Sequence, residues 1–172
     1  MAQDSNRDKK KKKSKKKASK QVGNIVMELD TGKVVIKPLP ELAPNHVARI
    51  TELVKDGYYD GVVFHRVISG FMAQTGDPTG TGSGGSGVKL DAEFSREPHV
   101  RGVVSMARTS NPNSADSQFF IVYGAAPHLD GQYTVWGQVI EGMELIEAIP
   151  EGTGGNGRVV DDPVVIRRMS IE

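Results

Sequence analysis

The chain has 172 residues, of which 37% are hydrophobic and 25% charged, enough for one domain with its own core. It has no cysteine, which excludes disulfides, thiolate catalysis and cysteine zinc sites together. The net charge of +1 hides a division: residues 1–20 carry ten Lys/Arg against two Asp, a net +8, and the rest carries 12 basic and 19 acidic groups, a net −7.

Residues 1–20, "MAQDSNRDKKKKKSKKKASK", have no bulky apolar residue after Met1 and are predicted to be a disordered tail. The tail reads either as a solubilising extension or as an electrostatic arm for nucleic acid or another polyanion. No apolar run follows it, so it does not read as a secretory signal. No stretch reaches the roughly 18 apolar residues of a membrane span. A cytoplasmic protein with one domain over residues 21–172 is expected.

In "NIVMELD", Ile25, Met27 and Leu29 alternate onto one face; Asp30-Thr31-Gly32-Lys33 reads as a turn, and "KVVIKPL" as the returning strand. Ala43, Val47, Ile50 and Val54 then make one helical stripe, with Pro44 in its first turn and Gly57 as its terminator. Short strands follow at 62–69, 71–75, 101–107, 118–123, 134–140 and 163–171, with a short helix at 143–149. In the first, alternation predicts Phe64, Arg66 and Ile68 on one face, His65 and Val67 on the other. Many short strands and two helices suggest a closed or nearly closed antiparallel barrel with the helices over its ends.

"GTGSGG" at 80–85 matches a dinucleotide fingerprint, but "SGVKLDAEF" after it opens no helix, so it reads as a mobile glycine-rich loop. No pair among His46, His65, His99 and His128 has metal-ligand spacing on one element. His65 reads as a satisfied core histidine, and only His128 as lying near a site. No nucleophile elbow is present.

Three blocks carry a resemblance: "FHRVISGFMAQTGDPTGTGSGG", "GVVSMARTSNPNSADSQFFI" and "HLDGQYTVWGQVIEGMELIEAI". Together they resemble the cyclophilins, a family of peptidyl-prolyl cis-trans isomerases, over about residues 23–172; the second block looks most like bacterial cytoplasmic members. The resemblance implies a mainly β fold, an eight-stranded closed antiparallel barrel capped by two helices, with a proline-binding site on its outer surface. It implies Arg66 as the catalytic residue and Phe71, Met72, Phe120 and Leu129 as the proline pocket. Gln74 and Gln118 fall on site glutamines, and Ala107, Arg108 and Thr109 on the segment whose backbone binds the substrate chain. His128 and Tyr133 stand at the rim where the best-known members carry Trp and His, which implies weaker cyclosporin binding. Trp136 reads as core. Proline-containing peptides and folding proteins are the implied partners, with no cofactor, no metal and a monomeric state. A docking module without catalysis is the alternative.

The chemistry fits an empty list of nucleophiles. Cis and trans Xaa-Pro differ by about 0.5–1 kcal/mol across a barrier of roughly 18–20 kcal/mol, which is amide resonance. A catalyst needs only to bind the twisted amide better than the planar one. In that state the proline nitrogen gains a lone pair, which a guanidinium can meet.

Overall fold

The computed structural model describes residues 22–172. The tail reading, residues 1–20, lies outside them. Strands β1 (Ile25–Leu29) and β2 (Gly32–Pro38) form the expected hairpin around Asp30 and Thr31, with Leu29 opposite Gly32. Helix α1 (Pro44–Lys55) begins with Pro44 in its first turn; its Val47, Ile50 and Val54 are buried, and Gly57 follows its end at φ +74°. That left-handed conformation costs glycine little and stops the helix. Then come β3 (Arg66–Ile68), β4 (Met72–Thr75), β5 (Val103–Met106), β6 (Phe119–Val122), a 3-10 turn (Pro127–Leu129), β7 (Val135–Glu141), α2 (Met143–Glu147) and β8 (Arg168–Ile171).

One antiparallel sheet runs β3-β4-β6-β5-β7-β2-β1-β8. It is an open half-barrel rather than the closed barrel expected, because the edge strands β3 and β8 do not pair with each other. The 157–166 segment crosses the gap with separate backbone bonds, Val67 N to Gly157 O at 2.8 Å and Phe64 N to Val164 O at 3.0 Å among them. Its two bridges to that edge, Val63 to Val165 and Arg66 to Arg158, stay isolated and do not join into a ladder. Pro163 has no N–H to give, and Asp162 before it sits at φ +46°.

The sheet buries both faces. Its concave side packs on α1 and α2 around Ile25, Ile36, Ile50, Phe64, Val67, Phe119, Trp136 and Ile146. Phe119 sits edge-on to Tyr59 and Trp136, with centroids 5.6 and 5.4 Å away; each such pair contributes about 0.5–1.5 kcal/mol beyond its area. A second cluster covers the outer side of β4 and β6: Met72, Phe120, Val122, Ala126 and Leu129, with Ile68, Phe71, Ala107 and Tyr133 against it. Adjacent phenylalanines on β6 thus feed opposite faces.

The expected alternation fails before Arg66. Phe64 packs in the inner cluster with Val67, three positions on, while Arg66 and Ile68 are half-buried on the outer side. His65 lies between two isolated bridges to the 157–166 segment, Val63 to Val165 and Arg66 to Arg158, with its carbonyl accepting from Val159 N at 3.0 Å, and the faces reset between them.

Candidate active site

Register builds the site from three strands. Arg66 on β3 lies opposite Gln74 on β4, and Gln74 opposite Phe120 on β6, so all three side chains leave the outer face in a row. Beside them is a hollow of about 290 Å³ lined by Arg66, Phe71, Met72, Gln74, Ala107, Arg108, Phe120, His128, Leu129 and Tyr133. Every lining residue is among those the resemblance assigned. The other two, Thr109 and Gln118, line an adjoining cavity of about 410 Å³ that shares Gln74, Ala107 and Arg108 with the hollow.

Phe120 and Met72 form the buried floor, and Leu129 on the 3-10 turn forms one wall. Tyr133 stands edge-on to Phe120 at 5.7 Å, and His128 tilts against Phe71 at 5.5 Å. The Arg108 guanidinium lies 4.6 Å over the Tyr133 ring and donates to the carbonyl of Gln132. It therefore forms the ridge between the two cavities. The Ala107 N–H donates to Gln118 O at 3.0 Å and the Thr109 N–H to Ser114 Oγ at 2.9 Å.

Arg66 is held from two sides. Nε donates to the carbonyl of Asn156 at 2.8 Å, and Nη1 to Gln74 Oε1 at 3.1 Å. The relay continues: Gln74 Nε2 donates to Gln118 Oε1 at 3.1 Å, and Gln118 Nε2 to the carbonyls of Gly82 and Gly84. Each amide's orientation follows from the one before it, beginning with a guanidinium that can only donate.

The far end of this relay is a residue the sequence reading did not single out. Asp77 is fully buried. Its carboxylate accepts from the amides of Thr79, Gly82 and Gly84 and from the Thr79 hydroxyl, at 2.7–2.9 Å. Burial alone would raise its pKa, but those bonds outweigh burial and hold it at about 2. Asp116 likewise takes the Ser86 amide and hydroxyl and the Gly87 amide. The glycine-rich loop, expected to be mobile, is tethered at both halves. "DPT" at 77–79 was the available signal, since Asp binds amides two residues on. The part of Asn156, 90 positions from Arg66, leaves no local signal at all.

His128, the one histidine the sequence put near a site, lines the hollow. His65 is buried, but its Nδ1 has no partner among the described residues, so it is not the satisfied histidine the sequence suggested. Burial lowers its pKa. Among the described residues no group of three or more His, Asp or Glu is placed to hold a metal.

A family model, cyclophilin type peptidyl-prolyl cis-trans isomerase/CLD, matches residues 24–171. The chain belongs to the cyclophilin-type peptidyl-prolyl cis-trans isomerases. A Brucella abortus relative named "Probable peptidyl-prolyl cis-trans isomerase" is 46% identical over 167 residues, 90% of this chain and 85% of its own. Among solved structures, a Cryptosporidium parvum cyclophilin type peptidyl-prolyl cis-trans isomerase has a TM-score of 0.79 at 31% identity, covering 87% of this chain and 97% of its own. A second structure of that protein, in the presence of the dipeptide Ala-Pro, has a TM-score of 0.78 at 31% identity, with 87% and 98% covered. The open half-barrel with two helices is thus the cyclophilin fold, and the row Arg66–Gln74–Phe120 lies on its outer surface.

Proposed function

We propose that this cyclophilin isomerises Xaa-Pro bonds by seating the proline ring in the hollow over Phe120 and Met72 and meeting the twisted amide with Arg66. The observation that carries the reading is the tethered guanidinium at the edge of an apolar hollow. Arg66 has five N–H donors; Asn156 and Gln74 use two, so three remain. In a planar amide the proline nitrogen offers no lone pair, so a bond from Arg66 forms only as resonance breaks. Such an interaction raises kcat rather than lowering KM. Its geometry is fixed beforehand, so no reorganisation is needed at the moment of rotation.

The Ala-Pro dipeptide used with the Cryptosporidium protein supports proline-containing peptides as substrates here, with folding proteins as their natural source. A monomer in a reducing bacterial cytoplasm fits the cysteine-free sequence and the Brucella relative. Among the described residues no helix is long and apolar enough to cross a membrane. His128 and Tyr133 at the rim support weaker cyclosporin binding. The Lys-rich tail supports contact with polyanions.

The test is cis–trans exchange in a short Ala-Pro peptide, followed by NMR. Wild type should accelerate exchange, and Arg66→Ala should lose at least tenfold in kcat/KM, about 1.4 kcal/mol, mostly in kcat. Shifted peptide resonances without acceleration would instead mark a docking module.

A further inference from the structure

Behind the hollow lies a buried histidine that the isomerisation chemistry leaves unused. His99 is 1% exposed. Its Nδ1 lies 3.0 Å from Asp130 Oδ1, and its backbone N–H donates to the same oxygen at 2.7 Å. Its carbonyl accepts from Ala126 N at 2.9 Å. Nε2 lies 2.9 Å from Ser105 Oγ, which also reaches the Thr134 carbonyl at 3.0 Å. The ring stacks on Phe120 at 6.3 Å with an 18° interplanar angle.

The partners bracket the hollow's wall. Ala126 and Asp130 are the two ends of the Pro127–Leu129 turn that presents His128 and Leu129. Thr134 follows Tyr133, and Phe120 is the floor. A carboxylate can only accept, so Nδ1 carries the proton; Nε2 of the neutral ring then accepts, and the single Ser105 hydroxyl proton is shared between it and the Thr134 carbonyl. Burial lowers the pKa of His99 against the pull of Asp130, which favours this neutral form. The Asp130 side chain is 37% exposed. His99 thus holds both ends of the turn, its main chain bonding Ala126 and Asp130 and its ring adding the Nδ1 bond to Asp130 and the Nε2 contact to Ser105.

We propose that His99 is a positioning residue of the hollow, clamping the Pro127–Asp130 turn and the Phe120 ring in the arrangement that receives a proline. The inference rests on the reading of the hollow as the proline site. A wall that grips the ring grips it equally in planar and twisted amides. Loss of the clamp therefore raises KM and leaves kcat nearly alone.

The decisive variant is His99→Phe, which keeps an aromatic ring beside Phe120 and removes both nitrogens. KM for the Ala-Pro peptide should rise fivefold or more, with kcat within twofold of wild type, and the amide resonances of His128, Leu129 and Asp130 should shift. Asp130→Ala, at a partly exposed position, should raise KM at least as much, since it also loses the His99 N–H bond, and carries the prediction if the first variant fails to fold. The double variant should lose less than the sum of the two singles, because both remove the Nδ1–Asp130 bond. Thermal unfolding confirms that each variant is folded at the assay temperature. An unchanged KM in a folded variant, or two losses that simply add, overturns the clamp and leaves the proline site standing. Absence of turnover by wild type overturns both.

Discussion

Gly157 decides where the Arg66 guanidinium can point. It sits at φ +72°, and a Cβ there would lie 2.5 Å from Ile68 Cγ1 and 2.6 Å from the Val67 carbonyl. Its own carbonyl accepts from Val67 N, and the residue before it supplies the carbonyl that holds Arg66 Nε. Gly157→Ala must therefore either strain the loop, at about 1–3 kcal/mol, or move it away from β3 and take the Asn156 carbonyl with it. The expected result is a fall in kcat of several-fold together with a lower melting temperature. Gly155→Ala, two positions earlier in open space, should change neither. Exchange kinetics and thermal unfolding of the two variants decide it; equal activities would mean that the Asn156 bond does not orient Arg66. This dependence could not be read from the sequence. The motif around Arg66 announces the arginine, while its restraint comes from a glycine-rich stretch that looks like an ordinary loop.

At the scale of elements, the loop that follows β4 is built on a charge. Because the folded Asp77 carboxyl sits at about 2 against an ordinary 3.8, the native state binds fewer protons than the unfolded chain between those values. Asp77 thus contributes stability that is fully present above about pH 4 and is lost as pH falls through 3.8 towards 2. Asp77→Asn should remove that part of the acid dependence. At neutral pH it should cost about 2–3 kcal/mol, since an amide NH₂ would face the donors of Gly82 and Gly84. Denaturant unfolding at pH 7 and at pH 3 measures both; an unchanged stability difference between the two pH values would refute the assignment. Elements with one buried face were legible. The first hairpin alternates cleanly and the stripe of α1 is regular, so both lie where the sequence puts them. The outer cluster was not legible from periodicity, because "FFIV" on β6 is buried on both sides and shows no alternation. Only the family blocks separated Phe120 from Phe119. The face reset at His65 and the missing closure between β3 and β8 depend on contacts with residues 157–166, which no local pattern encodes.

Across the whole molecule the charge is split between a net +8 in residues 1–20 and a net −7 in the rest. An acidic catalytic domain is repelled by a polyanion, so any affinity must come from the tail. For single-stranded nucleic acid, each phosphate neutralised contributes about −0.7 to the slope of log K against log salt. Ten basic residues therefore allow a steep slope, and a slope near zero would mean that they are not engaged. The full chain should bind single-stranded RNA at low salt and release it as salt rises towards the physiological range. A chain lacking residues 1–20 should show no binding at any salt concentration, yet isomerise the short peptide at the wild-type rate, because Arg66, Gln74 and the hollow belong wholly to the described domain. Equal RNA binding by the two forms would place the affinity on the acidic domain and sink the electrostatic-arm reading. A tail-dependent affinity with unchanged peptide kinetics would instead separate location from catalysis, with the tail setting which proline-containing chains lie near a site that works the same way on all of them.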